Sequence, residues 1–330
     1  LATGLRLHLL GTQSLWHDEG NAYVQATRSL ADIADHAARD IHPPGYYWLL
    51  SLWYRLTGST EFALRALSAL ASVLGIAFAC ALGTRLWRPG VGLLAALFIA
   101  LNTFSIYYAQ EARMYALLAL WGVASMWALV GLVQAAARAP MREASRRSLL
   151  GWALALATFN LAGMFTQYAF AFVLLAQGIL FLLWLLANLR RESSHTLAAL
   201  GSYVIANGLA LLLYLPWLGT AWTQITTWPS TGQPVPFGEA LGQLLAYMAF
   251  GITVGTGTTI AVVFFLLFSL LNLPDSRQPA SWWRVLLPVT WLLASVAAFL
   301  ALDLFREANL KFLLPAQFGF GLWLARVVDV

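Results

Sequence analysis

Two acids near the start of the chain have the type and setting for proton transfer. Asp18 and Glu19 lie in the segment Trp16-His-Asp-Glu, shortly after a brief apolar stretch. A carboxylate held within hydrogen-bond reach of a hydroxyl can remove its proton, so Asp18 is a candidate general base. The alternative is structural: the two charges mark the end of a helix, and Asp18 caps the next one.

A further acid, Glu111, lies in the short segment Gln110-Glu-Ala-Arg-Met-Tyr115. Its structural interpretation is an ion pair with Arg113 that closes a helical hairpin. Its functional interpretation pairs it with Asp18, because two carboxylates can share an acid–base task or hold a divalent cation such as Mg²⁺ or Mn²⁺ through oxygen ligands. The pattern leaves the need for a metal open.

Basic side chains that could bind an anion complete the set. His42 precedes Pro43-Pro44, which favours an extended backbone and positions the imidazole for contact with a substrate. Arg113, Arg306 and Lys311 could bind a lipid phosphate, and Lys311 is the only lysine in the chain. The commoner role of such a lysine is to anchor a helix at the membrane surface.

The elements that carry these residues are those of a membrane protein. Only 10% of the residues are charged and 60% are hydrophobic, whereas about one residue in four is charged in a soluble globular chain. This composition excludes a cytoplasmic enzyme, and the long continuous apolar stretches exclude a porin-type barrel. The predicted fold class is an all-α polytopic membrane protein. The net charge of +5 indicates orientation in the membrane rather than a nucleic-acid partner.

Nine apolar stretches are long enough, or nearly so, to cross a bilayer, which needs about 20 residues. Residues 1–10 are too few and are interpreted as the outer end of a truncated first span rather than as a signal peptide. The sequence therefore predicts about ten transmembrane helices. The stretch at 241–272 is too long for one span and is expected to break or to lie along the membrane. The nine stretches are 61–86, 91–108, 115–137, 148–166, 168–189, 196–217, 241–272, 285–302 and 311–327.

The connectors between these stretches alternate in charge. One set holds eleven arginines and four acids, a net charge of +7, and the other holds eight bases and ten acids, a net charge of −2. Because basic loops face the cytoplasm, the acidic set is predicted to lie on the extracytoplasmic side of the cell membrane. The arginines of the basic set are Arg85, Arg88, Arg138, Arg142, Arg146, Arg147, Arg190, Arg191, Arg277, Arg284 and Arg326.

One membrane domain is predicted over residues 1–330, with three parts. Residues 11–60 form the first extracytoplasmic loop, 61–137 hold the second to fourth spans with Glu111, and 138–330 hold the remaining spans. Apolar residues at helical spacing predict an amphipathic juxtamembrane helix at 30–41 and a second helix after Pro43-Pro44. The other long loop, 218–240, is predicted to be irregular.

Four motifs in order resemble a known family. They are Trp16-His-Asp-Glu19, His42-Pro-Pro-Gly-Tyr-Tyr-Trp48, Glu61-Phe-Ala-Leu-Arg65 and Gln110-Glu-Ala-Arg-Met-Tyr115. Together they resemble the bacterial GT-C glycosyltransferases of the protein O-mannosyltransferase-like type (glycosyltransferase family 39), which are related to the aminoarabinose transferases of lipid A. The resemblance is close over residues 11–135 and later rests on topology and on Asn309-Leu-Lys-Phe-Leu-Leu-Pro315.

The resemblance implies an inverting glycosyltransferase. It implies a polyprenyl-phosphate-linked sugar as donor, a lipid, protein or cell-envelope acceptor, membrane lipids as partners, and transfer on the outer face of the membrane. By the same resemblance Asp18 is the catalytic base, and Lys311 stands where the family usually has an arginine that contacts the lipid phosphate. The residues expected to position the donor phosphate or the acceptor are Glu19, His42, Glu111, Arg113, Arg306 and Lys311.

The alternative function is a transporter or flippase of a lipid-linked or amphiphilic substrate, with the same acids as proton sites. Such a protein is expected to carry acids at mid-bilayer and an inverted repeat, and neither is apparent in the sequence. A non-catalytic membrane scaffold is a third interpretation, but it leaves the four ordered motifs unexplained. The identities of the sugar and the acceptor stay open.

Overall fold

The computed structural model describes residues 1–137, 143–188, 193–227, 235–253, 258–271 and 282–327. These residues form fifteen α-helices and one 3₁₀ turn, with no β-strand in the described ranges, so the predicted all-α fold class is confirmed. The helices are α1 (Ala2–Leu7), α2 (His17–Ala26), α3 (Leu30–Ala37), α4 (Gly45–Thr57), α5 (Glu61–Leu86), α6 (Pro89–Leu101), α7 (Thr103–Ala109), α8 (Tyr115–Ala136), α9 (Glu143–Thr166), α10 (Phe170–Asn188), α11 (Ser193–Thr226), α12 (Phe237–Phe250), α13 (Thr258–Leu271), α14 (Trp282–Ala301) and α15 (Leu314–Arg326), with the 3₁₀ turn at Glu307–Leu313.

The chain is a multi-pass membrane protein. Six helices of the described part, α5, α8, α9, α10, α11 and α14, are long and apolar enough to cross a membrane. The pair α6 and α7 passes the same test as one broken span, bent by 65°. The predicted ten spans are not confirmed, because the remaining apolar helices are shorter. The break expected within 241–272 is present, since α12 ends at Phe250 and α13 begins at Thr258.

Three predicted boundaries were wrong. Helix α11 continues through Pro216 to Thr226, so the first part of the predicted loop 218–240 is helical, and residues 228–234 lie outside the described ranges. Lys311 lies in the 3₁₀ turn and not in the last span. Asp18 is not an N-cap, because α2 begins one residue earlier, at His17. The predicted basic connectors run from Arg138 to Arg147, over Arg190-Arg191 and from Pro274 to Arg284, and their residues 138–142, 190–191 and 274–281 lie outside the described ranges.

The two helices predicted for the first loop are present. Helix α3 begins after Ser29, whose hydroxyl accepts a hydrogen bond from the amide of Asp32 at 3.1 Å, and it buries Ile33 and Ala37. Helix α4 ends at Gly58, where a φ of 88° favours glycine. The position of these helices relative to a membrane surface stays a prediction.

The predicted single span at 91–108 is instead broken at Asn102, and polar side chains satisfy the freed backbone groups. Asn102 Oδ1 accepts a hydrogen bond from the amide of Phe104 at 2.8 Å, and its Nδ2 donates to the carbonyl of Met248 at 2.8 Å. The buried guanidinium of Arg6 donates to the carbonyl of Ala100, in the last turn of α6, at 3.1 Å. Backbone groups opened by such a break must find partners inside the protein.

Helix α8 lies at the centre of the bundle, and 89% of its most apolar 18-residue stretch is buried. A polar network joins it to three neighbouring helices. Gln177 Nε2 donates to Ser125 Oγ at 2.7 Å and to Asn160 Oδ1 at 3.1 Å, and Asn160 Nδ2 donates to Asn207 Oδ1 at 3.0 Å. Hydrogen bonds of this kind hold membrane helices together where the hydrophobic effect cannot.

A buried ion pair joins α2 to the first turns of α5. Arg65 Nη2 lies 2.6 Å from Glu19 Oε2, and Arg65 Nε donates to Glu19 Oε1 at 2.9 Å. The two side chains are only 6% and 1% exposed. This geometry is the two-point contact that a guanidinium makes best with a carboxylate.

The same pair holds two further segments. Arg65 donates to the carbonyls of Leu10, Gln13 and Ser14, and Glu19 Oε1 accepts a hydrogen bond from the amide of Ala112 at 2.7 Å. The Glu19–Arg65 pair therefore fixes the start of the first loop, helix α5 and the turn at 110–114 relative to one another.

Arginines of the basic set lie at the opposite end of α5. The Arg85 guanidinium lies 4.2 Å from the ring centroid of Trp152, and that of Arg326 lies 5.9 Å from the ring of Trp87. The Glu19–Arg65 pair and Arg85 thus lie at opposite ends of α5. Which end faces the cytoplasm stays a prediction.

Substituting Glu19→Gln is expected to lower the free energy of unfolding by about 3–5 kcal/mol, because it leaves the buried Arg65 without its counter-charge. Thermal unfolding in detergent measures the change. Glu239→Gln is the matched control, since Glu239 is an exposed acid in the first turn of α12 and is expected to contribute about 0.5 kcal/mol. Equal melting temperatures for wild type and Glu19→Gln would contradict the role given to this pair.

Candidate active site

Three segments meet beside the Glu19–Arg65 pair and bring charged side chains together. The Arg113 guanidinium, only 5% exposed, lies with Nη2 3.5 Å from Asp18 Oδ2, and its Nη1 donates to the Asp18 carbonyl at 3.3 Å. The same Nη2 lies 3.4 Å from His42 Nε2. Asp18 is 35% exposed, so a ligand can reach its carboxylate while Arg113 supports it from within.

Local packing explains why these residues are held where they are. The Ser68 hydroxyl of α5 donates to the carbonyl of Arg113 at 3.0 Å and fixes the backbone of the turn. Gly45 follows the two prolines and packs so tightly on α9 that a Cβ there would lie 2.6 Å from the Phe165 carbonyl oxygen. The close approach sets the direction of the segment that carries His42.

His42 is held in its neutral form. Burial lowers its pKa to about 3, and the nearby charges of Arg113 and Lys311 act in the same direction. A neutral imidazole can accept a hydrogen bond from the permanently charged Arg113. His42 therefore orients the guanidinium and carries no positive charge near neutral pH.

Lys311 joins the site through an aromatic ring. Its Nζ lies 4.8 Å from the ring centroid of Tyr115, and the Arg113 guanidinium carbon lies 5.8 Å from the same centroid. Two cations that share one ring create a positive potential suited to an anion. We call Asp18, His42, Arg113 and Lys311 the Asp18 cluster.

The Glu111 side chain lines a cavity beside the Glu19–Arg65 pair. Its side chain is 9% exposed and lines a cavity of about 720 Å³ together with Glu19 and Arg65, but Asp18 is not among the described lining residues. Burial raises the pKa of Glu111 to about 7, against the opposing influence of Lys311 and Arg113. The joint role expected for Asp18 and Glu111 stays a prediction.

The other predicted site residues have structural partners. Both carboxylate oxygens of Glu19 bind Arg65. Arg306 Nη2 lies 3.6 Å from Asp303 Oδ2, and its described contacts do not reach the Asp18 cluster. The roles of all these residues in substrate binding stay predictions.

The divalent cation expected at Asp18 and Glu111 stays a prediction. Among the described residues no group of three or more His, Cys, Asp or Glu is spaced to hold a metal ion. Asp18 faces a guanidinium, whereas Mg²⁺ is usually held by one or two carboxylates together with waters and substrate phosphates. Arg113 and Lys311 supply the positive charge at this place.

Two residues of the site region had not been singled out from the sequence. Arg65 and Tyr115 each close one of the four motifs, yet neither was assigned a role. The available signal was a basic residue near the start of an otherwise apolar helix, because such a charge needs a buried acidic partner. The ring of Tyr115 carried no comparable signal, since aromatic residues are common at membrane interfaces.

A family model matches the part of the chain that holds the last three of the four motifs. The model described as dolichyl-phosphate-mannose-protein mannosyltransferase matches residues 41–222, more than half of the chain. The match includes His42, Arg65, Glu111 and Arg113 and ends within α11.

Solved structures share the fold. ArnT from Cupriavidus metallidurans bound to undecaprenyl phosphate is 16% identical with a TM-score of 0.66, covering 99% of this chain and 58% of that chain. The archaeal oligosaccharyltransferase AglB from Archaeoglobus fulgidus, in complex with an inhibitory peptide and a dolichol-phosphate, is 12% identical with a TM-score of 0.60, covering 99% of this chain and 49% of that chain. The architecture is that of the GT-C glycosyltransferases, and the chain spans about half to three fifths of the length of these proteins.

Glu111 is expected to make the folded state less stable as the pH rises from about 4.5 to 7. Its pKa is about 7 in the folded protein and about 4.3 in an unfolded chain, so the folded state binds more protons across this window. Lys311 and Arg113 reduce the effect, as does a hydrogen bond from Tyr107, and the charge of Glu19 increases it.

The substitution Glu111→Gln mimics the neutral carboxyl and tests this expectation by melting temperature in detergent. The variant should match wild type near pH 4.5 and melt at a higher temperature at pH 8, while Glu239→Gln should keep the wild-type profile. The same temperature difference at both pH values would show that the Glu111 carboxyl does not titrate in this window.

Proposed function

The chain belongs to the dolichyl-phosphate-mannose-protein mannosyltransferase family, and we propose that it transfers a monosaccharide from a polyprenyl-phosphate donor to a lipid, protein or cell-envelope acceptor. The observation that carries the proposal is the Asp18 cluster. It combines one reachable carboxylate with two cations beside it. A general base and an anion site are the two parts that such a transfer needs.

The cations suit the leaving group. In the transfer, the bond between the sugar C1 and the phosphate oxygen breaks, and negative charge grows on the departing polyprenyl phosphate. Arg113 has a further hydrogen-bond donor for this negative charge, because its Nε is buried without a hydrogen-bond partner in the described structure. Lys311 adds a mobile point charge from the 3₁₀ turn.

The carboxylate suits the acceptor. Asp18 takes the proton of the acceptor O–H while the acceptor oxygen forms its bond to C1 on the face opposite the phosphate. The single displacement inverts the configuration at C1 and needs no covalent intermediate. Holding both substrates in one geometry supplies most of the acceleration in such a scheme.

The proposed reaction takes place on the extracytoplasmic side. The support is the separation of charge along α5, with the Asp18 cluster near its first turns and Arg85 near its last. Basic residues at membrane helix ends favour the cytoplasm, which assigns the Asp18 end to the outside. A donor with a long isoprenoid tail stays in the bilayer, so a multi-pass protein is the kind of enzyme it requires.

Substituting Asp18→Asn is expected to reduce transfer by about 10²–10⁴-fold, because an amide cannot accept the acceptor proton. Mass spectrometry of sugar-modified lipids and proteins, and of free polyprenyl phosphate, in cells that express each variant measures the loss. Asp32→Asn is the matched control, since Asp32 is an exposed acid on the neighbouring helix α3.

Two results would contradict the proposal. Wild-type levels of sugar-modified products with Asp18→Asn would remove Asp18 from the chemistry. Movement of the intact lipid-linked sugar across vesicle membranes, with no cleavage of the sugar–phosphate bond by the wild-type protein, would identify a flippase instead. Equal melting temperatures of wild type and Asp18→Asn establish that the variant is folded.

A further inference from the structure

Lys311 is a cation that aromatic rings hold in place of a carboxylate. Within the described ranges it forms no ion pair, and its Nζ lies 4.8 Å from the ring centroid of Tyr115 and 5.9 Å from that of Phe312. By contrast, the Arg65 guanidinium is matched by both carboxylate oxygens of Glu19. The charge of Arg65 is therefore neutralised, whereas the charge of Lys311 is left for a ligand.

The face of an aromatic ring attracts a cation without cancelling its charge. The ring quadrupole acts on an ammonium or a guanidinium within about 6 Å of the centroid, but the ring has no net charge. A carboxylate in the same place would neutralise the cation and would repel an incoming anion. The Arg113 guanidinium carbon lies 5.8 Å from the same Tyr115 centroid. One ring thus keeps two cations close together while their combined charge stays available.

Neighbouring aromatic side chains fix the orientation of the Tyr115 ring. Tyr115 is the first residue of α8 and is only 1% exposed. The Tyr108 ring packs on it edge to face with the centroids 5.3 Å apart, and the Phe312 ring lies 6.2 Å away. Edge-to-face contacts of this kind are a preferred arrangement of aromatic pairs. The 3₁₀ turn therefore contacts the fixed ring twice, through Lys311 and through Phe312.

We infer that Tyr115 is a positioning residue for the donor phosphate. The face of its ring holds the Lys311 ammonium beside the Arg113 guanidinium and leaves both charges for the phosphate to neutralise. The Tyr115 hydroxyl is not needed for this role. The phosphate part of the inference rests on the proposed function, whereas the contact between Lys311 and the ring does not.

Because Lys311 is the only lysine in the chain, its contact with the ring can be measured without any donor. Reductive methylation with isotope-labelled formaldehyde labels its amine and keeps the positive charge. In NMR spectra of the whole chain in nanodiscs, the Lys311 methyl signals are expected upfield of those of an exposed dimethyl-lysine, because the ring current of Tyr115 acts on them. Tyr115→Phe is expected to keep this upfield position, and Tyr115→Leu is expected to lose most of it.

Ring fluorination tests whether the same contact sets the affinity for phosphate. Fluorine withdraws electron density from the ring face and weakens its attraction for a cation, while the size of the ring changes little. Phenylalanines with an increasing number of ring fluorines replace Tyr115, and binding of undecaprenyl phosphate is measured in nanodiscs. The dissociation constant is expected to rise stepwise, by about tenfold for the fully fluorinated ring, and Tyr115→Phe is expected to bind like wild type.

The same fluorinated series at Phe104 is the matched control. Phe104 is 1% exposed and packs on Tyr108, but it has no described contact with a cation. Its fluorination is expected to leave the affinity for undecaprenyl phosphate unchanged. Melting temperatures equal to that of wild type show that the variants in both series are folded.

Three results would overturn the inference or its premise. Lys311 methyl signals at the position of an exposed dimethyl-lysine would refute the ring contact. An affinity that stays constant along the Tyr115 series, or a tenfold loss in Tyr115→Phe, would refute the role of the ring face in phosphate binding. A wild-type protein that shows the ring contact but does not bind undecaprenyl phosphate would contradict the proposed function, and with it the phosphate part of the inference.

Discussion

The bidentate contact between Glu19 and Arg65 is the interaction on which the rest of the site depends. It joins helix α2, helix α5, the start of the first loop and the turn at 110–114, which are distant in sequence. Neither charge can be exposed or removed alone at small cost, because both are buried. The pair thereby holds the segments that carry Asp18 and Glu111 in place.

The Glu19–Arg65 pair fixes two groups of polar side chains. On one side Arg113 and Lys311 share the ring of Tyr115 and create a positive potential beside a reachable carboxylate. On the other side the Glu111 carboxyl, with its raised pKa, lines a space with amides and aromatic rings. The environment of Arg113 and Lys311 suits a phosphate.

The sequence predicted the features that depend on local pattern. Composition predicted an all-α membrane protein, and the helix after Pro43-Pro44 and its end at Gly58 followed from residues whose backbone preferences are strong. The break at Asn102 was not predicted, because its caps come from Arg6 and the end of α12, which only tertiary structure brings close. Likewise, the motifs identified Asp18 and Glu111 together, but their spacing could not reveal the buried Glu19–Arg65 pair between their segments.

The central claim is that Arg113 and Lys311 receive the donor phosphate while Asp18 faces the acceptor. A structure of this chain in nanodiscs with undecaprenyl phosphate tests it most directly. The account predicts phosphate oxygens within about 4 Å of the Arg113 guanidinium and the Lys311 ammonium, with the Asp18 carboxylate open to the same space. A phosphate bound at Arg306 alone, or at the opposite end of the bundle beside Arg85, would contradict it.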